Sequence, residues 1–368
     1  MSDQSVHLHH IKLEGFKSIK SLELDLSAIN ILIGANGAGK SNFISLFTFL
    51  RNLAQGKLQT YVEQQGYANA FFHFGTKQTS SILIELDVGQ NGYHAELVHS
   101  PNTDTLLFKK EYCTYSGSQK TWTIKGKLGE SGLLPGSEAA SAYVRAYTRD
   151  YLQHCRIYHF HDTSSTASFK QATPLEATDF LHADAGNLAA FLYRLRNEFP
   201  KSYNDIVATI RTVAPFFHDF YLQPRGAAGE ETILLRWLHR DHDNPFSANQ
   251  LSDGTARFIC LATLFLQPQE WRPKTLVLDE PELGLHPAAL DVLAEMLKSV
   301  ARHNQVICST QSVVFANHFE PQDFIVVDQE RGVSTFKRLD PAGLAHWLED
   351  YGTGDLWAKN LIGGRPEW

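Results

Sequence analysis

The sequence predicts an α/β fold built on a parallel sheet, and three observations carry that reading. INILIG, TLVLDE, QVICST and DFIVVD are continuous apolar runs, as strands buried on both faces are. Stretches with helical spacing alternate with them, at NFISLFTFLRNLA, 256–267 and 287–302. A glycine loop, GANGAGKS at 34–41, joins the first run to its helix.

The other elements follow in order. HLHHIKLEGF and SLELDL alternate apolar and polar residues, as half-buried strands do. SSILIELDV, GYHAELVHS, TLLFKKEYCTYS and TWTIKGKL continue that alternation, with GQNG, SPNTD and SGSQ between them, which predicts an antiparallel meander. A loop at 129–138, a helix over 139–155 and a strand at CRIYHFH come next. Residues 163–175 are rich in Ser and Thr and read as a loop. NLAAFLYRLRNEFP and KSYNDIVATIRTVAPFF form a helical pair, and ETILLRWLHR resumes a strand. After DFIVVD come FKRLD, a helix over 341–350 and an aromatic tail, DYGTGDLWAKN. The pattern divides the chain into 1–160, a helical lobe at 161–230, and 231–368.

The 368 residues are 43% hydrophobic and 20% charged, enough to bury a sizeable core. A net charge of −7 argues against coating nucleic acid non-specifically, and leaves room for a local basic groove. Cys113, Cys155, Cys260 and Cys308 are scattered without a CxxC, so buried thiols in a reducing compartment are expected. No apolar stretch approaches the ~18 residues of a membrane span, and MSDQSVHLHH lacks an apolar signal core, so a cytoplasmic protein with no membrane partner is expected. His7, His9 and His10 fit an edge strand or a frayed end better than a metal site.

GANGAGKS matches G-x-x-x-x-G-K-[ST] between a strand and a helix. Its glycines let backbone N–H groups face phosphate oxygens at a helix start, where the dipole favours an anion. Lys40 is positioned to reach the β- and γ-phosphates of ATP, and Ser41 to ligate Mg2+. In TLVLDEP, Asp279 is the second Mg2+ residue and Glu280 the one that orients or deprotonates the attacking water. STQS at 309–312 ends the next strand. Thr310 or Gln311 there could sense the γ-phosphate, or Ser309 or Ser312 could cap a helix.

With IKLEGFKSIKSLELDL, GANGAGKSN, LSDGT, LVLDEPELGLHP and STQS in this order, the chain resembles the ABC-type ATPases of the SMC/RecF-like branch, in particular stand-alone RecF-like prokaryotic ATPases. The resemblance covers roughly two thirds of the chain. It implies an ABC-ATPase head, a P-loop NTPase with an antiparallel meander and a small helical insertion in place of a coiled coil. It implies that Gly34, Ala35, Asn36, Gly37, Ala38, Gly39, Lys40, Ser41 and Asn42 hold ATP, with Lys17 of GFKS either near the adenine or the phosphates or on a solvated hairpin. Two subunits of such ATPases face head to tail, so Ser252, Asp253 and Gly254 of LSDGT belong against the partner's nucleotide. Asp253 and Thr255 depart from the usual glycines, and an acid beside phosphate is unfavourable unless it points away. The family's Mg2+-contacting glutamine has no clean counterpart, and His161 is its nearest replacement. The usual switch histidine is Gln311, which cannot carry a proton-linked charge. His286 matches a segment that crosses the dimer interface, or packs locally.

The function this implies is an ATP-gated homodimer in DNA repair or anti-phage defence, acting with a separately encoded nuclease or TOPRIM-like effector. Arg194, Arg196, Lys201, Arg211, Lys109, Lys110, Lys120, Lys125 and Lys127 either meet DNA phosphates or form a solvated face. The alternative is an ATPase sensor that binds a protein without touching DNA, with Trp347, Tyr351, Trp357 and Trp368 either docking it or packing on the sheet. A transporter subunit fits poorly, because transporters lack the GFKS strand.

Overall fold

The computed structural model describes residues 7–117, 120–126, 129–135, 142–227, 229–344 and 346–365. Lys127 and Trp368 lie outside them. The chain forms two compact units that interleave along the sequence. One comprises 1–157, 273–277 and 304–368, and the other 158–272 and 278–303. The sequence reading set three consecutive blocks instead.

The first unit holds both large sheets. The antiparallel one runs Ile19–Asp25, Leu8–Phe16, Ser81–Val88, Asn91–Ser100, Thr105–Tyr115, Lys120–Thr123. Alternation sets its register: Ile82, Ile84, Leu86 and Val88 are buried while the residues between them are not. The second sheet has the order Val333–Arg338, Phe324–Glu330, Ile29–Ile33, Gln305–Ser309, Thr275–Asp279, Cys155–Tyr158. Its central strand, Ile29–Ile33, pairs in parallel with both neighbours. Ile31, Leu32, Ile33, Val306, Ile307 and Cys308 are fully buried, as the continuous apolar runs require.

Helix Lys40–Gln55 buries Phe43, Leu46, Phe47, Phe49, Leu50 and Leu53, too many for a single stripe. One core cluster accordingly joins Phe43 and Phe47 to Leu13 and Ile84 of the antiparallel sheet and to Ile307 and Ile325 of the other. Gly56 ends this helix at φ 70°, and the Lys57 N–H returns to the Asn52 carbonyl at 2.9 Å.

The second unit contains helices Leu188–Glu198, Pro200–Val213, Asp253–Leu266 and Pro287–Ala301. The expected helical pair has 11 and 14 residues, about 16 and 21 Å long, far short of a coiled-coil arm. Trp271 anchors it: Phe199 meets the indole edge-on at 4.6 Å and the Arg194 guanidinium lies 4.3 Å over it.

Two expectations need correction. ETILLRWLHR is two short strands, Thr232–Ile233 and Arg236–His239, because the first pairs with Thr173–Pro174 and the second with Phe217–Phe220. The helix over 341–350 is two 3-10 turns, Pro341–Leu344 and Trp347–Glu349. Gly343 lowers the helix propensity of a segment already below the ~12 residues a marginal helix needs.

All four cysteines are buried and free. Among the described residues, no helix is long and apolar enough to cross a membrane. Several basic residues of the sequence reading have internal partners. Arg194 pairs with Glu198 at 2.9 Å and Lys109 with Glu96 at 2.8 Å. Arg196 donates to the Leu222 carbonyl, and Arg211 to that of His218. In the tail, Trp357 is buried with its Nε1 donating to the Gly364 carbonyl, while Trp347 and Tyr351 are exposed.

Candidate functional site: a glycine loop and a histidine–acid edge

The loop sits where the central strand leaves the sheet. Parallel pairing brings the end of Gln305–Ser309 to the same edge, and the Thr310 N–H donates to the Leu32 carbonyl at 3.0 Å. A Cβ on Gly34 would collide with the Val327 carbonyl oxygen. One on Gly39, the residue before the helix at φ 116°, would collide with the Ser334 hydroxyl. Only glycine lets the loop lie this close to its neighbours.

Side chains from three directions hold the loop. Ser334 Oγ lies 2.6 Å from the Ala38 carbonyl oxygen and 2.7 Å from Ser18 Oγ, and Ser18 accepts a bond from Asn42 Nδ2 at 2.7 Å. Gln329 Nε2 donates to the Gly37 carbonyl at 3.0 Å. Lys40 is buried and its ammonium donates to the Gly34 and Ala35 carbonyls, at 2.6 and 3.0 Å. Ser41 is exposed in the first turn of the helix. Lys17 points elsewhere: its ammonium donates to Ser45 at 2.8 Å and lies 5.6 Å from the rings of Phe16 and Phe71. Burial lowers its pKa. In GFKS it is therefore Ser18 that reaches the loop. Ser334 and Gln329 were invisible to sequence reasoning, because their two strands lie about 290 residues downstream and carry no spacing motif.

At STQS, the Ser312 N–H donates to Thr310 Oγ1 at 3.0 Å, and Ser312 Oγ caps Val313–Ala316 by accepting from Phe315 N–H at 3.1 Å. Thr310 is buried and Gln311 is exposed.

The second unit carries the acidic residues. Asp279 closes strand Thr275–Asp279, and Glu280 follows with φ 46°. A left-handed glutamate costs about 1 kcal/mol or more, which the surrounding structure must hold in place. A cavity of about 10 Å3, room for about one water, is lined by His161, Arg257, Asp279 and Glu280 among others. His161 and Asp279, matched by sequence, do come together, with His159 as a third member. One ligand atom from each lies within 4.8 Å of the others. Burial lowers the pKa of His159 below 6.5, Asp279 opposes this and His161 adds to it.

LSDGT starts helix Asp253–Leu266. Ser252 is its cap, accepting from the Thr255 N–H at 3.2 Å with the two hydroxyls 2.8 Å apart. Asp253 is exposed in the first turn, where the helix dipole favours an acid, which accounts for its departure from glycine. A Cβ on Gly254 would lie 2.6 Å from the Gly284 carbonyl oxygen, so LSDGT and ELGLHP touch backbone to backbone. His286 caps Pro287–Ala301 through Nδ1, 3.3 Å from the Ala288 N–H. Arg257, which no motif flagged, donates to the carbonyls of Phe160 at 3.0 Å, His161 at 2.8 Å and Leu283 at 2.5 Å.

A family model described as "AAA domain, putative AbiEii toxin, Type IV TA system" matches residues 29–317. The chain belongs to this AAA family. No curated protein matches it in sequence. Among solved structures, this AAA-family chain is similar to an Smc head bound to the C-terminal winged-helix domain of ScpA, at 16% identity and TM-score 0.56, over 92% of this chain and 99% of that one. It is also similar to an Smc head with an extended coiled coil bound to the C-terminal domain of ScpA, derived from Pyrococcus furiosus, at 13% identity and TM-score 0.56, over 94% and 99%. These likenesses show that the chain has the fold of an Smc head.

Proposed function

We propose that the protein binds and hydrolyses ATP as a head-to-tail dimer, and that closure of the dimer is its output in DNA repair or anti-phage defence. The family description, which names a toxin–antitoxin system, supports the defence arm. The output passes to a separately encoded nuclease or TOPRIM-like effector. DNA contact is a further element of this reading.

The observation that carries it is the exposed helix start at Ser252 and Asp253. Four N–H groups at a helix start lack intrahelical acceptors, and Ser252 takes only that of Thr255. The rest can serve an anion on a second subunit. In the phosphate loop, Lys40 exchanges the Gly34 and Ala35 carbonyls for β- and γ-phosphate oxygens. Glu280 orients or deprotonates the attacking water, and Gln311 reports on the γ-phosphate. Ser41 and Asp279 offer oxygen donors suited to Mg2+, with His161 in the place of the family's glutamine, and the ion would neutralise phosphate charge.

Solution molar mass tests the reading. In a Glu280→Gln background, ATP with Mg2+ should convert monomer to dimer, and Ser252→Arg should abolish that conversion. Ser252→Ala removes the same cap, at about 1 kcal/mol, without adding bulk, and should retain most of the dimer. If ATP leaves the mass unchanged, or Ser252→Arg dimerises like its parent, LSDGT is only a helix cap.

A further inference from the structure

We propose that His159, His161 and Asp279 bind a first-row transition divalent cation, in the range Mn2+ to Zn2+, without help from nucleotide. Strand Cys155–Tyr158 continues as the extended stretch His159–Phe160–His161. Alternation along it sends Phe160 into the core, 8% exposed, and puts both imidazoles on the opposite side. Asp279 completes the set from the end of its own strand.

Three donors around one such ion at about 2.1 Å lie roughly 3–3.6 Å from one another. The three ligand atoms, all within 4.8 Å of one another, therefore close onto an ion with side-chain shifts of up to about an ångström. Arg257 fixes the backbone behind the ligands by holding the carbonyls of both Phe160 and His161. Such outer support raises metal affinity by keeping ligands oriented. The donor chemistry sets the class of ion. Mg2+ takes oxygen ligands and gives up water reluctantly, whereas imidazole suits the first-row divalent ions, with affinity rising from Mn2+ to Cu2+ and falling at Zn2+. The site shares Asp279 and His161 with the proposed hydrolysis, but needs neither the phosphate loop nor ATP.

Co2+ alone is the probe, followed by its visible absorption and by calorimetry on the full chain without nucleotide. Wild type is expected to bind one Co2+ that roughly a hundredfold excess of Mg2+ does not displace. His159→Ala and His161→Asn should each weaken it at least about tenfold. Far-UV circular dichroism and metal-free unfolding show whether either variant has lost its fold, and Asp279→Asn gives an independent third test. His7, His9 and His10 are the rival ligands, so a triple alanine variant there should keep the bound ion. Failure to bind Co2+, displacement by Mg2+, or loss on changing His7, His9 and His10 while the His159 and His161 variants still bind would overturn the assignment. Lys40→Ala separates this inference from the nucleotide reading. It should keep Co2+ and lose ATP binding. Co2+ absent with Lys40-dependent ATP binding sinks the metal site alone, and Co2+ present with ATP binding indifferent to Lys40 sinks the nucleotide reading alone.

Discussion

Glu280→Gln is expected to lower ATP turnover by about two to three orders of magnitude while nucleotide binding stays within roughly threefold of wild type. A positioned general base contributes about 10²- to 10⁴-fold, and the amide keeps the size and reach of the carboxylate without its basicity. The backbone makes this substitution a clean one. Glu280 is left-handed at φ 46°, and glutamine meets the same conformational cost there. The lost rate is then chemical and not a consequence of a rearranged chain. Glu280→Gly, which relieves the strain, should lose turnover equally and gain or hold stability. Single-turnover phosphate release, with ATP binding measured on the same samples, makes the test. Turnover within about threefold of wild type would move the base elsewhere and leave the strained conformation of Glu280 without a catalytic reason.

Much of this was legible in the sequence because it is local. Strand, loop and helix at 29–55 are fixed by a continuous apolar run, glycines that cannot be replaced and an apolar helix ended by Gly56. The pairing of His161 with Asp279 came from resemblance, yet His159 was in plain view two residues away, with the alternation that puts it on the same side. What was hidden is long-range. Ser334 and Gln329 support the loop from strands that only folding brings near. Lys17 is expected by resemblance near the adenine or the phosphates, whereas in the structure it is half-buried, with its ammonium on Ser45 and beside the rings of Phe16 and Phe71. ETILLRWLHR alternates correctly, and nothing in that pattern says its halves have different partners. Propensity reads the residue and its neighbours; the choice of partner strand belongs to the whole chain.

Arg257→Ala is expected to lower the unfolding free energy by about 2–4 kcal/mol and to disable LSDGT presentation and the histidine pair together. A charged donor contributes about 1.5–3 kcal/mol per hydrogen bond, and three carbonyls lose theirs here, although the bonds do not add. The bonds also tie two segments to one helix. The His159–Phe160–His161 stretch hangs from Nε and Nη2, and the ELGLHP loop from Nη1. A Cβ on Gly284 would come 2.5 Å from Nη1, and one on Gly254 would come 2.6 Å from the Gly284 carbonyl oxygen, so Gly254, Gly284 and Arg257 pack as a single layer. Removing the guanidinium loosens that layer from both sides. Arg257→Lys offers one compact ammonium where a planar fork spans three acceptors, and should recover less than half of the loss. Three measurements on one variant separate support from direct contact. Denaturant unfolding should show the stability loss, Co2+ affinity should fall about tenfold or more, and the ATP-dependent dimer of the Glu280→Gln background should weaken. ATP binding to the phosphate loop, which Ser18, Ser334 and Gln329 hold within the other unit, should change by less than about threefold. If stability falls while Co2+ affinity and dimer formation do not, Arg257 is only a core fastener, and the histidines and LSDGT are positioned by other contacts.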